Sequence, residues 1–188
     1  MLFEHLVSTG RLKSVMLDTY RALLAQNRIT EAYFLYGTIL DGFTEAEALE
    51  AVQSALQTRG NVLAVRPQVL DLMQFLKESG VTVWVMSGSH EVAVRAAMQK
   101  FGIEARLIGN KNAFKDGRYT AELQQPVSML EGKVECLRNY IHPTQAPLLV
   151  IDDSPTGIPL LETADIKVVV DHHQAFVQEA RRRGWFIL

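Results

Sequence analysis

Two apolar runs constrain this chain most. They are Val81-Thr82-Val83-Trp84-Val85-Met86 and Leu148-Leu149-Val150-Ile151. Each is rich in β-formers and almost continuously apolar, as expected of a strand covered on both faces. Each gives way to small polar or acidic residues, Ser87-Gly88-Ser89 after the first and Asp152-Asp153-Ser154 after the second. A third run, Ile166 to Val170, is of the same kind. Helical patterns separate the runs, and strands alternating with helices predict an α/β fold: a parallel sheet with helices on both faces. In such sheets ligands bind beyond the C-terminal ends of the strands, which directs attention to the two polar strand ends.

The pattern before residue 61 is different. Leu2, Phe3 and Leu6 recur at helical spacing, as do Leu12, Val15, Met16, Tyr20, Leu23 and Leu24. Thr30 is placed to cap a third helix carrying Tyr33, Phe34, Tyr36 and Leu40, and Thr44-Glu45-Ala46-Glu47 is a capping box that opens a fourth, ending at Gly60. The expected organisation is therefore a helical segment over 1–60 and an α/β core over 61–188. In the core, Pro67 starts a helix that runs to Gly80, and another helix runs from His90 to Phe101. A short strand is expected at Ala105 to Ile108. A turn at Lys115-Asp116-Gly117 precedes a further strand. Later elements are a helix from Ser128 to Tyr140, a short helix at Gly157 to Thr163, a helix from Gln174 to Arg183 and a terminal strand, Trp185 to Leu188.

Composition excludes several classes. The 188 residues carry 19 basic and 21 acidic side chains, so no global field draws nucleic acid or an anionic membrane. The basic run Arg181-Arg182-Arg183 suits a solvated helix C-terminus. No apolar run approaches the length of a membrane span, and no signal-peptide pattern opens the chain. A soluble, cytoplasmic protein is expected. The single cysteine, Cys136, lies in an apolar helical pattern and reads as packing.

The two strand ends suggest a chemistry. Ser87 and the backbone N–H groups around Gly88 make an oxyanion cradle suited to phosphate. The paired carboxylates Asp152 and Asp153 suit a hard cation such as Mg²⁺. Lys133, after Gly132 at a helix start, would neutralise phosphoryl charge.

In order and spacing these segments resemble the haloacid dehalogenase (HAD) superfamily, in its phosphoserine-phosphatase-like branch. VTVWVMSGSH, residues 81–90, is similar to that family's motif II, with Ser87 on the phosphate-binding serine. EGKVECL, residues 131–137, is similar to motif III, with Lys133 on its lysine. LLVIDDSPTGIPLL, residues 148–161, is similar to motif IV, with Asp153 on the first metal-associated aspartate. LIGNKNAFKDGRYT and DIKVVVDHHQAFVQEARRRGW resemble the branch's segments before motif III and at its C-terminus. The resemblance implies a Rossmannoid core, with the helical start as a small cap. It also implies a Mg²⁺-dependent phosphomonoesterase acting on a small phosphorylated metabolite.

Two departures qualify that implication. The family's motif I is Asp-x-Asp-x-Thr, whose first aspartate attacks phosphorus and whose second serves as acid and base. These 188 residues contain no Asp-x-Asp; the nearest imitation, around Asp18, sits inside a helical period. In addition, motif IV ends in Gly157 where the family has a second aspartate, and Asp152 stands where it has glycine. The central strand that carries motif I is likewise expected to be absent. The strands ending at Ser87 and Asp153 would then pair directly, or another segment, subunit or partner would fill the gap, or the natural chain begins upstream. The expectations are an HAD-like phosphatase inactive as it stands and, as the alternative, a non-catalytic protein binding a phosphorylated ligand or a protein partner.

Other candidates have simpler readings. His90 reads as a solvated helix-start histidine, His172-His173 lack further ligands at metal-binding spacing, Trp84 reads as core, and Tyr33, Phe34 and Tyr36 as helix packing.

Overall fold

The computed structural model describes residues 1–59, 63, 65–142 and 144–188. The chain forms two compact units, Met1–Gln125 and Pro126–Leu188. The boundary expected at residues 60 and 61, and the helix end expected at Gly60, lie outside the described residues. No helix among the described residues is long and apolar enough to cross a membrane.

The first unit opens with helices α1 (Leu2–Ser8), α2 (Ser14–Ala25), α3 (Ile29–Gly37), α4 (Glu45–Arg59) and α5 (Pro67–Glu78). The helical periods cluster into one core. Leu2, Phe3 and Leu6 of α1 pack with Ile39, Leu40 and Phe43 and with Ala48, Val52, Ala55 and Leu56 of α4. The capping box forms as expected. Thr44 N donates to Glu47 Oε2 at 2.8 Å and Glu47 N donates to Thr44 Oγ1 at 3.2 Å. Thr30 does not cap α3. Asn27 turns the chain with φ 57°, which makes Arg28 the N-cap and places Thr30 inside the first turn. Arg28 instead clasps Glu31 through two guanidinium nitrogens.

Strand β1 (Trp84–His90) begins later and ends later than the sequence predicts. It pairs in parallel with β2 (Arg106–Asn110) in the register Trp84↔Arg106, Val85↔Leu107, Met86↔Ile108 and then His90↔Asn110. The register shifts between Met86 and His90, so Ser87-Gly88-Ser89 forms an irregularity within the strand rather than its end. Helix α6 (Glu91–Lys100) follows directly. β3 (Asn112–Lys115) and β4 (Arg118–Leu123) form an antiparallel hairpin. Its turn places Asp116 at φ 51° and Gly117 at φ 77°, the pair of positive φ values a two-residue hairpin loop requires. The sequence signals this turn and β4, but β3 goes unpredicted because it is only four residues long, Asn112–Lys115.

The second unit contains α7 (Glu131–Arg138), β5 (Leu149–Asp152), α8 (Ile158–Glu162), β6 (Ile166–Val169), α9 (Gln174–Arg182) and β7 (Phe186–Ile187). Its sheet runs β5-β6-β7, all parallel. Leu160 and Leu161 of α8, Val169 of β6 and Phe176, Val177 and Ala180 of α9 are buried. This is the mixed α/β architecture expected. The parallel strands, however, lie in two ladders rather than one. Among the described residues β1 pairs with β2 and β5 with β6, and the other edge of β1 and of β5 carries no ladder partner.

Candidate phosphate site

Of the candidate residues, Ser87 and Gly88 belong to the first unit and Lys133, Asp152 and Asp153 to the second. In the first, Ser87 Oγ accepts from Ser89 N at 3.1 Å, a local turn that curls the chain at the strand irregularity. The Gly88 carbonyl accepts from Asn110 Nδ2 at 2.8 Å, tying the loop to the end of β2.

In the second unit, Lys133 lies in the first turn of α7 and is 7% exposed. Gly132 brings this helix start against Val127, because a Cβ there would collide with the Val127 carbonyl oxygen. Leu130, at the N-cap, takes φ 48°, a conformation uncommon for a branched side chain. Lys133 Nζ donates to Asp152 Oδ2 at 2.6 Å, and the side chains of both partners are 9% exposed. Asp152 Oδ1 accepts from Ser154 N at 3.0 Å, so both carboxylate oxygens are engaged. Ser154 Oγ in turn accepts from Thr156 N at 3.2 Å and caps the short 3₁₀ turn that leads to Gly157.

Gly157 shows what has happened to the acidic cluster. A Cβ at this position would collide with the Asp152 carboxylate. The carboxylate of Asp152 thus fills the space a side chain at 157 would need. A side chain at Gly157, the last residue of the 3₁₀ turn, would require the Asp152 carboxylate to move.

These donors do not fit a divalent cation. Asp152 is committed to Lys133 and Ser154 N, Asp153 is exposed, and residue 157 brings no oxygen. Among the described residues no three His, Cys, Asp or Glu side chains cluster closely enough to hold a metal ion.

The remaining candidates are placed as follows. His90 is 1% exposed and not solvated. Its ring packs against Tyr36 at 4.8 Å, and Nε2 meets the Tyr36 carbonyl at 3.0 Å. Burial pushes its pKa down to about 4. The sequence hides this, because a polar residue at a helix start is ordinarily wet. Trp84 is half-buried, with the Arg106 guanidinium 5.2 Å from its ring, rather than a core residue. Tyr36 packs among Phe3, Tyr20 and His90, as expected of helix packing. Asp18 is exposed on α2, and His172 and His173 are exposed. Cys136 is buried, donates to the Pro126 carbonyl at 3.2 Å, and has its thiol pKa pushed up by burial, the reverse of an activated nucleophile.

Residues 2–162 match the model of the haloacid dehalogenase-like hydrolases. The chain belongs to that family. Among curated relatives, a phosphoserine phosphatase of Halobacterium salinarum is 30% identical over 106 residues, 54% of this chain and 49% of the relative. A histidinol-phosphatase of Neisseria meningitidis is 27% identical over 131 residues, 66% of this chain and 59% of the relative. The matched region thus spans about half to three-fifths of these relatives. A solved structure of a Bordetella pertussis protein of unknown function superposes with TM-score 0.82 at 20% identity, covering 98% of this chain and 87% of that one. That likeness shows a shared HAD-like fold. Within the family, the resemblance runs to the phosphoserine-phosphatase-like branch.

Proposed function

We propose that this chain carries the phosphoryl-recognition residues of an HAD-type phosphomonoesterase of small metabolites, and that these 188 residues do not hydrolyse phosphomonoesters by themselves. Ser87, Gly88 and Lys133 are the phosphate ligands of this reading, and Asp153 is its metal-side aspartate. Relatives named for phosphoserine and histidinol phosphate point to a small phosphorylated metabolite as the ligand class.

The observation that carries the proposal is the Lys133–Asp152 pair. An ammonium that would stabilise a transferring phosphoryl group already has a buried carboxylate at 2.6 Å, so an incoming phosphate must displace it. The 188 residues contain no Asp-x-Asp to serve as nucleophile and acid–base partner. The Mg²⁺ that the family resemblance implies would need oxygen donors beyond those described around Asp153.

The test is direct. The purified chain, given Mg²⁺ and p-nitrophenyl phosphate or phosphoserine, should release phosphate no faster than buffer. Mg²⁺-dependent release abolished by Asp153→Asn would overturn the proposal. The recognition half has its own assay. Inorganic phosphate should raise the melting temperature by ligand linkage, and more so in Asp152→Asn, which frees Lys133. A shift unchanged by Ser87→Ala with Lys133→Ala would sink the cradle.

A further inference from the structure

The segment between Met86 and His90 has little of its own to order it. Ser87, Gly88 and Ser89 bring no apolar side chain to pack, and the β1–β2 ladder is irregular there. Its shape must come from hydrogen bonds and from neighbours. Asn110 Nδ2 holds the Gly88 carbonyl at 2.8 Å, and Ser89 N donates to Ser87 Oγ at 3.1 Å. That carbonyl and that N–H belong to one planar peptide unit, so both bonds fix the same plane. Ser87 Oγ accepts in its bond to Ser89 N, and a hydroxyl that accepts still has its own proton to give.

One residue of α3 also reaches this turn. The Tyr36 hydroxyl hydrogen-bonds the Ser89 side chain. The Tyr36 carbonyl oxygen lies 3.0 Å from His90 Nε2, and because a carbonyl only accepts, Nε2 donates. The Tyr36 and His90 rings stack 4.8 Å apart. Tyr36 thus grips the last residue of the turn and the residue after it. It is itself held in place, with Phe3 at 6.3 Å and Tyr20 at 6.1 Å between ring centroids. Burial raises its phenol well above the usual range, so the hydroxyl stays protonated at any working pH. Helix packing alone would be served as well by phenylalanine; the hydroxyl, at the polar end of a buried ring, is what engages the turn.

We propose that Tyr36 is a positioning residue of the phosphate loop: through Ser89 and His90 it holds the turn in which Ser87 Oγ accepts the Ser89 N–H and keeps its own proton for a phosphoryl oxygen. This role deepens the phosphate reading of Ser87 and rests on it. Tyr36 acts through Ser89, not on the ligand. Without the hydroxyl, Ser89 is free to turn, its N–H leaves Ser87 Oγ, and Ser87 samples rotamers that an incoming anion must then select among. The contribution of Tyr36 is therefore preorganisation, an ordering cost met before the ligand arrives.

The experiment uses the whole chain and inorganic phosphate, with affinity read by calorimetry and the Ser89 amide read by ¹⁵N NMR. Tyr36→Phe keeps the ring and removes only the hydroxyl. It should weaken phosphate binding about fivefold to tenfold, the size of one hydrogen bond. It should also speed exchange of the Ser89 amide while leaving the amides of Val52 and Ala55 in α4 unchanged. In a Ser89→Ala background the same change should cost no further affinity, because both substitutions break one contact. A Tyr36 that only stabilised the helices would lower affinity equally in both backgrounds. The proposal is overturned if Tyr36→Phe binds phosphate as tightly as the native chain, if its effect is undiminished in Ser89→Ala, or if the Ser89 amide exchanges at its native rate. Should the native chain bind no phosphate at all, the reading of Ser87 as a phosphate ligand fails, and the Ser89 amide alone then decides whether Tyr36 holds the turn.

Discussion

At position 157 the space for a side chain is already taken, by a carboxylate five residues earlier in the chain. This couples three residues energetically. Gly157→Ala forces a methyl group against Asp152 and should cost about 1–3 kcal/mol, the usual range for overpacking. In an Asp152→Gly background the same change should cost little, because the obstruction is gone. Asp152→Ala alone leaves the Lys133 ammonium buried and unpaired, a loss of about 3–5 kcal/mol, whereas Lys133→Met with Asp152→Leu should recover all of it and add a little stability, because apolar packing replaces the pair. Urea denaturation of Gly157→Ala, Asp152→Gly and their pair, and of Lys133→Met, Asp152→Leu and their pair, measures both cycles, and strict additivity in either would refute the coupling. His90 adds a pH dependence. Its folded pKa, about 4, lies below the 6.5 of the unfolded chain. The unfolded state therefore binds the extra proton between those values, and stability that is complete above pH 6.5 falls until about pH 4. The loss should be about 3 kcal/mol, and it should vanish from the melting-temperature profile of His90→Gln.

Among the elements, α4 is the clearest case of local sequence specifying local structure. Thr44 and Glu47 exchange hydrogen bonds at its start, and Ala48, Val52, Ala55 and Leu56 then bury one face. Thr44→Ala should lower stability by about 1 kcal/mol, the ordinary value of an N-cap, read as a shift in denaturation midpoint at unchanged slope. Such periodic, capped segments were legible because their signals lie within a turn or two of the residues they govern. The strand ends were less so. Ser87-Gly88-Ser89 carries every mark of a break, yet pairing resumes at His90 opposite Asn110. The partner strand decides that, and no local pattern encodes it. The burial of His90 had the same origin: Tyr36, 54 residues earlier, supplies both the stacked ring and the carbonyl. Of the candidate site, the residue types at 87, 133, 152 and 153 were readable from the order of motifs. That Asp152 would fold back to fill the place at 157 and hold Lys133 was not, because an extended strand gives no sign of where its last side chain turns.

At the scale of the molecule, the division into Met1–Gln125 and Pro126–Leu188 implies unequal stability. The first unit buries a continuous cluster drawn from α1, α4, α6 and the segment around Ile39 to Phe43. The second has about sixty residues, a size at which a domain buries only about 60% of its unfolded surface and is correspondingly marginal. Its sheet consists of β5 and β6 with four residues each and β7 with two. It also commits a lysine and an aspartate to a largely buried pair, which contributes little net stability compared with apolar packing. Local opening should therefore begin in the second unit. Native-state hydrogen exchange across a urea series gives the measurement. Amides of β5 and β6, such as Val150 and Val168, should lose protection at lower urea than those of Val52 and Ala55 in α4. Lys133→Met with Asp152→Leu should narrow the gap, because it replaces the buried pair with apolar contact in the weaker unit. If both sets of amides converge on one opening free energy with the same urea dependence, the chain unfolds as a single cooperative body and the unequal-stability argument fails.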